Sequence, residues 1–204
     1  DELKDMLKAN PGNEKLKALI DVLPEDHANA YAGYFNLDRS GLQEAMCTHA
    51  DHYNTNYGYS INAYSKGEVF MEQLGYIIGA KQRDRVLLRY YDKWKFKHPD
   101  AVDFVRVAEQ VSGMKLDWYL EYWIHSVKNI DYGIDSVWQD GEYVAIRLKR
   151  SGLMPMPIDL QLTYADGHSE MHLIPLNLMY GVKQPESDSV KTITEDAWKW
   201  THPT

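Results

Sequence analysis

Ile158-Asp159-Leu160-Gln161-Leu162-Thr163-Tyr164, then Asp166-Gly167, then Met171-His172-Leu173-Ile174, is the stretch that decides the fold. Both flanks alternate apolar and polar residues, the period of a half-buried strand. An Asp-Gly pair between two such runs is the strongest short-range hairpin signal. Tyr143-Val144-Ala145-Ile146-Arg147-Leu148 alternates in the same way. Residues 132–204 therefore read as a small antiparallel β module. Its last stretch, Ala197-Trp198-Lys199-Trp200-Thr201-His202-Pro203-Thr204, reads as though one more strand should follow.

Upstream of Asp131 the period is helical. Leu3, Met6 and Leu7 share a face, and Leu16, Leu19, Ile20 and Leu23 repeat the i, i+3, i+4, i+7 pattern up to Pro24. Residues 25–58, rich in Asn, Asp, His and Tyr, read as irregular apart from a short helix near Leu42–Met46. Phe70, Leu74, Ile77 and Ile78 define a strongly apolar helix closed by Gly79 at C′. Val86, Leu87, Tyr90, Tyr91 and Trp94 define the next, which stops before His98-Pro99. Asp100 reads as an N-cap with Asp103 at N3, ahead of a helix ending at Gly113. An aromatic helix follows from about Leu116 to Ser126. The whole is α+β: a helical part, 1–131, then a β part, 132–204.

Composition narrows the function. With 204 residues, 44% of them hydrophobic, the chain can bury a substantial core. A net charge of −8 gives no general attraction to nucleic-acid phosphates or anionic lipid. No apolar run approaches the ~20 residues of a membrane span. The opening Asp1-Glu2-Leu3-Lys4-Asp5 has neither an initiator Met nor a basic-then-apolar leader, so the sequence reads as a processed or excised piece. Cys47 is the lone cysteine, which excludes an internal disulfide and a thiolate zinc cluster.

Several candidates for chemistry have plainer readings that win. His49 and His52 have the i, i+3 spacing of two metal ligands, but in a turn-rich segment they read as loop hydrogen-bonders. His168 and His172 share a strand face and read as a polar outer surface. No Gly-x-Ser-x-Gly elbow occurs, and Cys47 has only His49 as a chain neighbour. The unusual segment is Tyr53 to Glu68, with tyrosines at 53, 57, 59 and 64. A tyrosine can donate to a developing oxyanion while its ring packs on an apolar wall. Core filling and a sugar-stacking face remain open beside that role.

Tyr64-Ser65-Lys66-Gly67-Glu68-Val69-Phe70, with Gln73-Leu74-Gly75 and Ile78-Gly79 after it, resembles the segment that follows the zinc site in the gluzincin aminopeptidases. That family includes membrane alanyl aminopeptidase (aminopeptidase N) and leukotriene hydrolase. The resemblance continues through Leu88-Arg89-Tyr90-Tyr91, Trp94-Lys95-Phe96-Lys97-His98-Pro99, Asp103-Phe104 and Ser112-Gly113 to Leu116-Asp117-Trp118-Tyr119-Leu120-Glu121-Tyr122-Trp123. It covers roughly Tyr59 to Val137 and is most similar to the Bacteroidetes-type bacterial branch, whose members are often exported; the residues themselves do not fix a compartment, and a cell-envelope or secreted location is only what the resemblance implies.

The resemblance implies the helical C-terminal half of a thermolysin-like catalytic domain followed by a small β-sandwich. It implies a zinc metallopeptidase that removes N-terminal residues from peptides. The family's His-Glu-x-x-His, its further Glu ligand and its Gly-x-Met-Glu-Asn loop lie upstream of the matched segment, and neither motif occurs in these 204 residues. Zinc would thus be held by residues outside this chain, none is expected in the fragment, and the fragment alone is expected to be inactive. Its partners would be the upstream half of the catalytic domain and a peptide substrate. Tyr64 matches the family's oxyanion-stabilising tyrosine, Tyr59 a pocket position. Lys66 and Gly67 are read as structural, the lysine as an anchor and the glycine for close helix approach. The rival reading is a non-catalytic interaction or carbohydrate-binding module on the same scaffold. One further expectation concerns packing: Leu74, Ile77 and Ile78 should leave an apolar surface exposed where the upstream half would sit.

Overall fold

The computed structural model describes residues 2–22, 26–185 and 189–204, apart from the side chains of residues 2, 3, 19, 21 and 22. Leu23 and Pro24, and the side chains of Leu3 and Leu19, therefore lie outside the described residues. The architecture is α+β, with helices first and small antiparallel and mixed sheets after them. The helices are α1 (Glu2–Ala9), α2 (Glu14–Val22), α3 (Ala28–Ser40), α4 (Asn56–Ile61), α5 (Gly67–Ile78), α6 (Ala80–Trp94), α7 (Ala101–Ser112) and α8 (Asp117–Ile124). A five-residue π-helical turn, Asn62–Lys66, links α4 to α5.

The start and stop chemistry of the later helices follows the sequence. Asp100 and Asp103 form a reciprocal capping box at the head of α7, and Gly113 ends it at φ 73°. Gly79 takes φ 91° between α5 and α6. Residues 25–58 depart from expectation. They contain α3, whose buried residues include Ala30, Tyr34 and Leu37 at i, i+4 and i+7. Leu42–Met46 is not helical. Gln43, Glu44 and Ala45 instead use backbone or side-chain oxygens to receive hydrogen bonds from later residues.

The strands are β1 (Tyr132–Asp140), β2 (Tyr143–Arg150), β3 (Ile158–Thr163), β4 (Ser169–Ile174) and β5 (Lys191–Thr194). β1 and β2 form a two-stranded antiparallel sheet closed by the Gly141-Glu142 turn, with Asp140 opposite Tyr143. β3 and β4 pair antiparallel around the expected Asp166-Gly167 turn, Gly167 lying at φ 89°. β5 adds to β4 in parallel, which the alternation did not announce.

Two packing units partition the chain differently from the change of period near Asp131. The first comprises 1–74 and 123–127, the second 75–122 and 128–204. In the first, Leu37, Val69, Phe70 and Leu74 are buried with Trp123, whose ring lies 5.8 Å from Tyr34 and 6.3 Å from Phe70. In the second, Ile77, Ile78, Val86, Val107, Leu116 and Tyr119 are buried among others. Leu74, Ile77 and Ile78 are only 1%, 0% and 2% exposed and so leave no apolar surface open, contrary to expectation, a gain of about 1.5–3 kcal/mol per side chain.

The second unit also ties sheet to helix through polar contacts. The Tyr76 hydroxyl donates to the Pro157 carbonyl (3.1 Å) and accepts from the Asp159 N–H (2.9 Å). Lys183 lies over the Tyr76 ring, donating to the Tyr76 carbonyl and the Asp159 carboxylate. Burial pushes the Tyr76 phenol well above its ordinary range.

Candidate functional site

All the residues singled out around Tyr64 belong to the first unit. Thr55 opens α4 as its N-cap, accepting from the Gly58 N–H at 2.9 Å. Ordinary helical geometry carries the chain to Ile61, and the π-helical turn then inserts wider spacing before α5 resumes. Such turns are rare and occur frequently at functional sites. Here the turn reverses the polarity expected of its residues: Tyr64 is 76% exposed, whereas Asn62 and Lys66 are each 1% exposed.

The inner side of the turn is a polar brace. Lys66 Nζ donates to the Ser126 carbonyl at 3.4 Å. With its amide turned to suit both neighbours, Gln43 accepts from Lys66 Nζ at 3.2 Å and donates to Asp38 at 3.0 Å. Burial drives the Lys66 pKa down to about 8, against the opposing attraction of Asp38. The Asn62 amide nitrogen donates to the Glu44 carbonyl at 3.1 Å, while its Oδ1 is buried without a partner among the described residues. Glu44 in turn receives the Asn54 N–H and side-chain amide at 3.1 and 3.0 Å. The Tyr53 hydroxyl donates to the Ala45 carbonyl at 3.1 Å, and its ring meets that of Tyr59 edge-on at 5.4 Å.

The outer side is aromatic. Tyr57 and Tyr59, 46% and 42% exposed, accompany Tyr64 in the α4–turn segment. The Tyr64 hydroxyl forms no hydrogen bond among the described residues, so its donor is available to a ligand. Core filling does not describe this ring. It does describe Tyr34, which is buried in α3 and whose phenol burial drives strongly upward.

The glycine reading is corrected. A Cβ at Gly67 would meet only the Asn62 carbonyl at 3.9 Å, an ordinary contact, so no close helix approach requires that glycine. The close approach lies at Gly33 on α3, where a Cβ would come within 2.7 Å of Ser65 Oγ and 3.1 Å of Ser65 Cβ. The lysine reading is sustained by the contacts of Lys66, and more deeply than an anchor at the surface would be.

No group of three His, Cys, Asp or Glu side chains among the described residues is placed to hold a metal ion. His49 accepts from the Asp51 N–H through Nδ1 and lies ring to ring with His52 at 5.3 Å. His168 contacts Asp166 and stacks on Tyr164 at 4.2 Å, whereas His172 pairs with Glu195 at 2.6 Å. Cys47 is exposed, and its N–H donates to the Ile124 carbonyl. One polar cluster escaped the sequence reading. His27, held at φ 61°, bridges Glu68 (2.5 Å) and Glu72 (3.3 Å), one per ring nitrogen. The i, i+4 spacing of the two glutamates was its only signal. No protein family, no curated protein and no solved structure matches the chain.

Proposed function

We propose that this chain supplies the helical half of a zinc-dependent aminopeptidase-like active site, together with a trailing β-sandwich-type module. Tyr64 would be its oxyanion donor. The observation that carries the reading is the π-helical turn, which lifts an exposed tyrosine with an unengaged hydroxyl on a base of fully buried Asn62 and Lys66. Catalysis of acyl transfer gains most from donors fixed in place before charge develops. A phenol carried on a packed, hydrogen-bonded turn meets that requirement better than one on a mobile loop. Tyr64 would donate to the oxygen of the attacked peptide carbonyl as it becomes negative. Tyr59, whose ring is held by Tyr53, would form the adjoining wall.

Among the described residues no group of three His, Cys, Asp or Glu side chains is placed to hold a metal ion; in this reading the zinc would be held by the upstream half. Aminoacyl-substrate hydrolysis should therefore require residues 1–204 joined to, or co-expressed with, the segment that carries the zinc motif. The chain alone should hold no stoichiometric zinc and hydrolyse nothing. One tightly bound zinc per 204-residue chain, lost on changing His49 and His52, would overturn this assignment.

The exposure of Tyr57, Tyr59 and Tyr64 together favours one second reading, a sugar-stacking face. A glycan array on the isolated chain, with Tyr57→Ala and Tyr59→Ala as controls, tests it.

A further inference from the structure

The β1–β2 hairpin exposes large apolar side chains: Ile134, Val137, Tyr143 and Val144, the last 67% exposed. Its ladder determines where the unpaired backbone groups point. In a hairpin with a two-residue turn, the closing pair exchanges both hydrogen bonds, and alternate residues then turn their N–H and C=O outward. Here the closing pair is Asp140 and Tyr143. On β2 the outward residues are consequently Val144, Ile146, Leu148 and Arg150. Arg150 fits this parity, since its N–H donates to the Pro203 carbonyl at 2.7 Å. Val144, Ile146 and Leu148 have no such partner among the described residues. An open edge of this kind is a template for another strand. Beside it lies an open groove of about 570 Å³, bordered by Trp138, Ile146, Leu148, Ile174 and Trp198.

Charge selects the occupant. The turn end of β2 is acidic, with Asp140 and Glu142, and its far end is basic, with Lys149 and Arg150. An antiparallel copy of β2 sets acid against base at both ends. Centred on Ile146, it pairs Val144 with Leu148 of the copy and brings Glu142 beside the copy's basic end. The free edge of β1 lacks this property: Asp135 and Asp140 are its only charged residues, so a copy of β1 would meet like charge.

We propose that the β2 edge is a homodimer interface, in which two copies of this chain pair β2 with β2 antiparallel into a four-stranded sheet about a two-fold axis. The pairing is isologous and therefore closes at two subunits. Apolar side chains of the incoming strand cover the groove beside Trp198.

Sedimentation velocity on the 204-residue chain, from micromolar to millimolar concentration, provides the test. The expected result is a monomer–dimer equilibrium. Arg150→Glu alone and Glu142→Lys alone, the pair set opposite each other by this register, should each raise the dissociation constant at least tenfold. The double variant, which restores opposite charges across the two-fold axis, should return it to near the starting value. Val144→Pro removes an outward N–H that the hairpin does not use, and should abolish the dimer while far-ultraviolet circular dichroism stays unchanged. A strict monomer at millimolar concentration overturns the proposal. So does an open-ended series of oligomers, a dimer indifferent to all four variants, or an edge that binds an acidic extended peptide without self-pairing.

Discussion

Two regions of the molecule expose large apolar side chains, and they differ in what lies behind them. The tyrosines of the α4–turn segment stand on buried polar groups, Asn62 and Lys66, that fix the backbone from within. The apolar residues of the β1–β2 hairpin stand on a two-stranded sheet whose β2 edge has no strand partner among the described residues from Val144 to Leu148. Exposure alone does not distinguish a ligand site from a docking edge. A braced side chain can hold a hydroxyl where a reaction needs it, whereas an open edge offers main-chain hydrogen bonds that any complementary strand can use.

If the brace is what makes the tyrosine region special, weakening it should cost most. Lys66→Ala removes a fully buried stem together with its hydrogen bonds to the Ser126 carbonyl and Gln43, so the chain should lose about 2–4 kcal/mol in a urea titration. Lys66→Met, which keeps the volume but not the donor, should recover only the packing part of that loss. A Lys66→Ala variant as stable as the parent would remove the brace from the account.

The charge of Lys66 gives a second handle. Its pKa is about 8 when folded and near 10.4 when unfolded. Between those values the unfolded chain binds the extra proton, so stability should rise with pH across that interval. The full cost of burying the ammonium is present below pH 8 and fades above it, a rise of at most about 3 kcal/mol by pH 10. Tyr31 and Tyr53, whose burial raises their pKa values, oppose it as free tyrosines ionise near pH 10. Lys66→Met should flatten the rise, which thermal melts at pH 7, 8, 9 and 9.5 will show.

Smaller effects come from the two glycines. Gly33→Ala pushes a methyl into Ser65 at the rim of the turn and should destabilise by about 1–3 kcal/mol. Gly67→Ala meets only an ordinary 3.9 Å contact with the Asn62 carbonyl at a helical φ of −62° and should stabilise by about 0.5–1 kcal/mol. Denaturation midpoints of the two variants decide the pair. A destabilising Gly67→Ala would restore the close-approach reading for that position.

What the sequence revealed depended on the kind of signal. α7 was legible down to its caps because Asp100, Asp103 and Gly113 act locally, through bonds to their own neighbours. The β3–β4 hairpin was legible for the same reason, its Asp166-Gly167 turn fixing the register. α3 was missed although Ala30, Tyr34 and Leu37 have helical spacing, because alanine carries little hydrophobic signal and Asn and Gly interrupt the run. β5 was missed because four residues in parallel pairing have no turn to announce them. The candidate site was legible in its residues but not in its geometry. A π-helical turn breaks the 3.6 period, so no pattern placed Tyr64 outside and Lys66 inside. That inversion is a tertiary effect, made possible by carbonyls and amides from residues 43–45 and 126.

The most direct test of the proposed role of Tyr64 is Tyr64→Phe in a protein that joins these residues to an upstream segment carrying the zinc motif that the proposal requires, followed by steady-state kinetics on an aminoacyl substrate. The ring is retained and the exposed hydroxyl has no hydrogen-bond partner among the described residues, so the melting temperature should not move. Loss of one oxyanion donor should lower kcat by about 10²–10³, roughly 2.7–4 kcal/mol, with little change in KM. A near-normal kcat in the Phe variant would contradict the account and remove Tyr64 from the chemistry.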